Sequence, residues 1–179
     1  MIRGNCIRIG GGTDDETAFI ERTLTSIENN TVTKITGNLF QGCNSLEQAA
    51  FEGATEVSGC AFYGCSSLRS VSIPNVTKIG TSAFYGNTQL TEITLPAVTF
   101  LGYFAFQDCA QLVAVYLPSD TICEMQGTGW VDNAFNSTPI YGGIGRVYVP
   151  SALYNDYKSA PGWSRISNSI VSYSFGGAT

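Results

Sequence analysis

The sequence predicts a solenoid of short parallel β-strands with loop or 3-10 returns, mostly β, closed at its C-terminal end by a small helical cap. Three observations carry that expectation. Residues recur at a fixed interval of 22 through the middle of the chain, each repeat holds one short alternating segment stopped by proline, and the ending departs from the pattern. The stretch CSSLRSVSIPNVTKIGTSAFYG, residues 65–86, runs directly into NTQLTEITLPAVTFLGYFAFQD, residues 87–108. Several apolar rows that coincide at one period are the signature of stacked repeats.

The rows align on Phe40, Phe62, Phe84 and Phe106. Leu46, Leu68, Leu90 and Leu112 follow in register, as do Ala49, Val71, Ile93 and Val115, then Phe51, Ile73, Leu95 and Leu117. Ile35, Val57, Ile79 and Leu101 form a further row, and Ala61, Ala83 and Ala105 precede three of the phenylalanines. In LRSVSIP, Val71 and Ile73 alternate with Ser70 and Ser72, the period of a half-buried strand. Pro74, Pro96 and Pro118 stop these strands because proline has no N–H to donate. The return path through VTKIG and SAFYG is too short for a long helix, so loops, short strands or a 3-10 turn must close each coil. Gly42, Gly64 and Gly86, with Asp108 in the same row, are expected in a tight left-handed turn.

The ends differ from the middle. Leu24 and Ile27 lie 22 residues before Leu46 and Ala49, so FIERTLTSIENN reads as a degraded first coil. Residues 1–23 form an N-terminal segment and candidate cap, with a strand in MIRGNCIRIGGG or a linker at Gly10–Gly12. The solenoid proper spans 24–150 with an insertion near 119–134, since Phe135 comes 29 residues after Phe106. RVYVP restores a strand ending at Pro150. Residues 151–179 supply a cap and tail, read as two short helices: Ser151 caps the first, and Trp163, Ile166 and Ile170 share a face of the second. Their role is to cover the last coil and block end-to-end growth of the sheet.

Composition bounds the function. The 179 residues carry 44% hydrophobic and 13% charged residues and a net charge of -5, which suits one globular domain and opposes a nucleic-acid groove. No apolar run is long enough to span a bilayer, so membrane insertion is not expected. The chain has no histidine, which removes the Ser-His-Asp and Cys-His arrangements. Asp14, Asp15 and Glu16 read as solvated charge, because TDDE lacks the alternating ligands of a calcium loop. GGGTDD has no Gly-Lys-Ser/Thr after it and is no phosphate loop. Cys60 and Cys65 lack the second pair of a zinc motif. Catalytic residues, metal ligands and cofactors are therefore all expected to be none.

Cys43, Cys65 and Cys109 share one repeat position with Asn87. A site that takes cysteine or asparagine reads as a buried, small polar position closing a turn, with reduced thiols; bridges between stacked cysteines are the alternative. Cys60 shares its row with Asn38, Ser82 and Phe104, while Cys6 and Cys123 have no assigned role.

These units resemble the BspA-like, or treponemal-type, leucine-rich repeats. The shared cues are the leucine opening, the apolar pair before Pro74 or Pro96, the Ile79-Gly80 and Leu101-Gly102 pairs, and the Ala-Phe pairs at 83-84 and 105-106. The ending VYVPSALYNDYKSAPGWS resembles the terminal cap of members from gut bacteria and their phages. The resemblance implies a right-handed leucine-rich repeat solenoid, adhesion to host or extracellular proteins, and a place at the cell surface or outside it. MIRGNCIRIGGGTDDE nevertheless shows no signal-peptide core.

Outward strand residues form rows that suit an unidentified protein or glycan. Glu47, Arg69, Thr91 and Val113 make one; Gln48, Ser70, Glu92 and Ala114 another; Ala50, Ser72, Thr94 and Tyr116, continuing to Tyr148, a third. Binding residues expected on this face are Glu47, Gln48, Arg69, Ser70, Ser72, Thr91, Glu92, Thr94, Tyr116 and Tyr148. Ordinary solvent-facing strand residues produce the same rows. Tyr63 and Tyr85, flanked by Gln41 and Gln107, and the insertion around Trp130 are secondary contact candidates. A non-enzymatic recognition module is the favoured reading, a scaffold segment of a larger bacterial or phage assembly the second, and a carboxylate-dependent hydrolase the third. Oligomeric state is not legible.

Overall fold

The computed structural model describes residues 24–127 and 133–176. The N-terminal segment with Cys6, Gly10–Gly12 and the Asp14–Glu16 cluster lies outside the described residues, as does Trp130. In chain order the strands are β1 (Ser26–Glu28), β2 (Lys34–Ile35), β3 (Gln48–Ala50), β4 (Glu56–Val57), β5 (Ser70–Ser72) and β6 (Lys78–Ile79). They continue with β7 (Glu92–Thr94), β8 (Phe100–Leu101), β9 (Ala114–Tyr116), β10 (Glu124–Met125), β11 (Arg146–Pro150) and β12 (Ile170–Tyr173). All pair in parallel. The odd-numbered strands and β12 make a front side, and β2, β4, β6, β8 and β10 make a five-stranded back sheet. The solenoid read from the repeat is the observed fold.

The register follows the repeat. Ile27 pairs with Ala49 and Ala49 with Val71, so the degraded first coil belongs to the stack. Between the sheets a ladder of phenylalanine rings fills the interior. Phe40, Phe62, Phe84, Phe106 and Phe135 have centroid separations of 5.0, 5.1, 5.3 and 5.5 Å, and none of the five is exposed. Each ring is set by its backbone. The N–H groups of Phe40, Phe62, Phe84 and Phe106 donate to Ala61, Ala83, Ala105 and Ala134, each at 2.8 Å. The seven extra residues before Phe135 therefore leave the ladder in register.

The cysteine and asparagine row closes the turns as expected. Cys65 Sγ donates to the Phe40 carbonyl, Asn87 Nδ2 to Phe62 and Cys109 Sγ to Phe84, all at 3.0 Å. A thiol and an amide N–H do the same work because both reach the carbonyl 25 residues back. Cys43, Cys60, Cys65, Cys109 and Cys123 are free thiols. Asn87 also brings an Oδ1 that finds no partner, a cost the thiols avoid.

Two rows of each coil are left-handed. Gly42, Gly64 and Gly86 have φ near +70°, and Asp108 continues the row at +59°. Asn38, Cys60, Ser82 and Phe104 form a second such row with φ between +55° and +58°, which the sequence rows did not signal. Their N–H groups donate to the following coil at Gly59, Thr81 and Tyr103 in the first three cases, holding the conformation against its intrinsic cost. Gly80 and Gly102 are glycines for another reason. A Cβ at either would lie 2.6 Å from a backbone nitrogen of the preceding coil, Gly59 or Thr81 respectively.

The cap differs from the two helices expected. A 3-10 turn at Ser151–Leu153 precedes α1 (Tyr154–Ser159), and a kinked 3-10 segment spans Trp163–Ser169. Ser151 lies inside the first turn and caps nothing; its Oγ meets Ser172 Oγ at 3.0 Å. The 3-10 period of three places Trp163, Ile166 and Ser169 on the buried face, in place of the α-helical spacing. Ile170, also buried, begins β12 and pairs with Val147. The small helical cap expected at this end is present, and β12 extends the front sheet beside it. The helical parts close the coil corner. Trp163 Nε1 donates to the Cys123 carbonyl at 2.6 Å, and the Cys123 N–H donates to Tyr157 Oη at 2.8 Å. Both rings are fully buried.

Gly80→Ala should lower the unfolding free energy by about 3 kcal/mol through backbone collision. Gly64→Ala, with open space around its Cβ, should cost about 1 kcal/mol for its left-handed φ. Equal losses in urea titrations would refute the distinction. Burial pushes the Cys43 thiol up to about 11 and those of Cys65, Cys109 and Cys123 up to about 12. Thiols raised on folding contribute fully below their ordinary value of 9.0 and lose that contribution as pH climbs toward the folded values. The urea midpoint should therefore fall between about pH 8 and pH 10.5. In a Cys6→Ser background, a thiol reagent near neutral pH should modify Cys60 alone until the chain unfolds; labelling of the ladder thiols in the folded state would contradict their burial.

Candidate functional site

The front side presents every strand residue named from the sequence. Glu47, Gln48, Arg69, Ser70, Ser72, Thr91, Glu92 and Thr94 are exposed, and Tyr116 and Tyr148 are half-buried. Alternation puts the strand residues there: Ala49, Ile93, Val115 and Val147 point into the core, so their neighbours point out, while Glu47, Arg69 and Thr91 stand just before the strands. Val113 is exposed, whereas Ala114 is nearly covered and offers no display.

The structure divides these residues into two groups. β1, β3 and β5 form one sheet, and β7, β9, β11 and β12 another. Among the described residues no register and no backbone hydrogen bond joins β5 to β7, although the back sheet and phenylalanine turns of the same two coils remain bonded. Arg69, Ser70 and Ser72 therefore lie across a seam from Thr91, Glu92 and Thr94, and Val71 is only half-buried. The unbroken outward rows expected from the repeat are interrupted there.

On the N-terminal side of the seam, a shallow hollow of about 440 Å³ opens over β1, β3 and β5. Ser26, Glu28, Gln48, Ala50, Ser70 and Ser72 line it. Ser72 Oγ donates to Glu52 at 2.8 Å, fixing a carboxylate at its edge. On the C-terminal side stands an aromatic cluster. Tyr116 stacks on Tyr148 at 4.7 Å and 11°, as their register requires. Tyr173 meets both edge-on, at 6.2 and 5.5 Å, and packs against Phe175 at 4.8 Å. Partial burial, followed by the nearby Glu92 carboxylate, holds the Tyr116 hydroxyl above its usual range. Tyr173 and Phe175 were missed in the sequence because β12 was read as helix and tail, yet IVSY carries the alternating, β-branched pattern of a strand.

The secondary candidates are more self-contained. Tyr63 and Tyr85 stack at 4.7 Å and 4°, and the Tyr85 hydroxyl, hydrogen-bonded to Asp108, is pushed up to about 12. A second hollow of about 370 Å³ lies on the back sheet, bordered by Glu56, Lys78 and Phe100. There Glu56 pairs with Lys34 at 3.2 Å and Lys78 sits 5.7 Å from the Phe100 ring centre, so the charges are already engaged. Among the described residues no group of three or more Cys, Asp or Glu is placed to hold a metal, and no helix is long and apolar enough to cross a membrane.

The chain is similar to a leucine-rich repeat protein from Bacteroides ovatus ATCC 8483, with 29% identity over 56% of this chain and a TM-score of 0.42. The matched region spans 35% of that protein's chain. No curated protein matches. Residues 15–138 match the model for the BspA type leucine rich repeat region in six copies. With most of its length in those repeats and its coils stacked in their register, the chain belongs to the BspA-type leucine-rich repeat family.

Proposed function

We propose that the chain is a non-enzymatic recognition module that holds its partner against the front side of the solenoid. The observation that carries this reading is the placement of aromatic residues. The five ladder phenylalanines are at 0% exposure, whereas Tyr116, Tyr148 and Tyr173 stand together on the surface, with Tyr173 44% exposed. Rings held by one another lose little freedom on binding, and such anchors dominate interface energetics. Across the seam and β7, the hollow supplies hydroxyl, amide and carboxylate groups on the same side of the solenoid. Repeat modules of this kind are generally used to bind proteins or other ligands, and their stacked strands make one extended surface.

The test is a screen of the folded chain against extracellular matrix proteins, mucins and glycans, repeated with an Arg69→Ala, Glu92→Ala, Tyr116→Ala variant. None of the three side chains lies in the core, so the variant should fold, losing about 1 kcal/mol with the Tyr116–Tyr148 stack. A bound partner should lose about tenfold or more in affinity. Unchanged affinity in the folded variant would move the contact off the front side and defeat the proposal.

A further inference from the structure

We infer that the partner of the front side is a neutral glycan chain, laid across the strands with its polar edges on the hollow and one sugar ring against Tyr116; this rests on the recognition reading above. Ser26, Gln48 and Ser70 in the hollow both donate and accept hydrogen bonds, as sugar hydroxyls do, and Ser72, its O–H given to Glu52, accepts. Glu28 and the Ser72-bound Glu52 add acceptors at its edge. The hollow has no cleft for an apolar anchor. Of its apolar lining, Ile27 and Ala49 point into the core at 2% and 3% exposure, leaving Ala50. Tight protein interfaces depend on such anchor pockets, so this floor suits a hydroxyl-rich chain better than a protein side chain.

The wall at the end of the floor supplies the complementary half. Along the outward row Ala50, Ser72 and Thr94 are small, and the next member is Tyr116. Tyr148 covers one face of the Tyr116 ring at 4.7 Å, and Tyr173 meets it edge-on. The other face looks across Thr94 toward the hollow, since Thr94 is its register partner on β7. A pyranose ring has an apolar C–H face and a hydroxyl rim, and these two surfaces match the braced ring and the polar floor. Bracing by Tyr148 reduces the ordering cost of the contact. At the usual strand spacing the five strands from β1 to β9 cover about 19 Å, room for an oligosaccharide more than for a single sugar. Charge sets the class. Among the described residues Glu47, Glu52 and Glu92 outnumber Arg69 and Arg146 on this side, so a glycan bearing uronic or sialic acids meets repulsion.

The experiment is an array of neutral hexasaccharides from glucan, xylan, mannan and chitin, with a galacturonic acid hexamer as the charged probe, followed by calorimetry on the strongest ligand. At least one neutral oligomer should bind saturably. Tyr116→Ala should weaken it about tenfold, and Tyr116→Phe, which keeps the ring, should restore most of that loss. Gln48→Ala should weaken it several-fold, and the charged hexamer should bind less well. Thermal melts establish that each variant is folded. Binding of the neutral oligomer that is indifferent to Tyr116→Ala, or preference for the charged hexamer, would overturn the inference. Failure of every neutral oligomer, alongside a protein partner lost by the triple variant, would overturn the glycan assignment and leave the recognition reading standing. Failure of both would remove both.

Discussion

A backbone hydrogen bond from each ladder phenylalanine to the alanine before the next one sets the spacing that the rest of the molecule follows. It recurs four times at 2.8 Å, and the rings stack because their backbones are held at that separation. One coil has no interior of its own, and its apolar edge is covered only by the coils above and below. The thiol and amide donors at 65, 87 and 109 serve the same register, tying each turn to the phenylalanine carbonyl of the coil before. So do Gly80 and Gly102, which let adjacent backbones meet where a side chain would hold them apart. Polar satisfaction, ring stacking and close approach are three expressions of one inter-coil distance.

The front side obeys that distance less strictly. Its strands are registered within each half, but β5 and β7 are not, while the back sheet and the turns of those coils stay bonded. Stability on the other sides of the coil leaves the outward front residues free of structural duty. The polar floor and the aromatic wall consequently fall on opposite sides of the seam, and a ligand reaching from Ser72 to Tyr116 would link the two halves.

The fold was legible because repetition reports inward residues many times over. Phe40 alone says little; four phenylalanines in register fix an interior. The cysteine row was legible for the same reason, since Asn87 exposed the hydrogen-bonding requirement that cysteine alone would conceal. The second left-handed row was not, because Asn38, Cys60, Ser82 and Phe104 share a backbone conformation and no side-chain property. The cap was read too regularly: it occurs once, and a period of three cannot be distinguished from 3.6 over seven residues. The candidate surface was legible in its rows and illegible in its division, for a missing backbone bond leaves no mark on composition. Tyr173 and Phe175 reach the cluster only through the pairing of β12.

The interval before Phe135 separates two kinds of variation. Between Phe106 and Phe135 the chain spends 29 residues where its other coils spend 22, and the rings still stack at 5.5 Å and 4°. The Phe106 N–H still finds Ala134. Two of the excess residues enter before β10, where Glu124 pairs with Phe100, and the rest follow β10, so the ladder keeps its register. The exposed stretch at residues 120–122, before β10, is a natural port for grafted sequence: a foreign epitope or reporter loop could be carried there as cargo while the ladder keeps its pitch, turning the repeat into a rigid presenter of segments it did not evolve with.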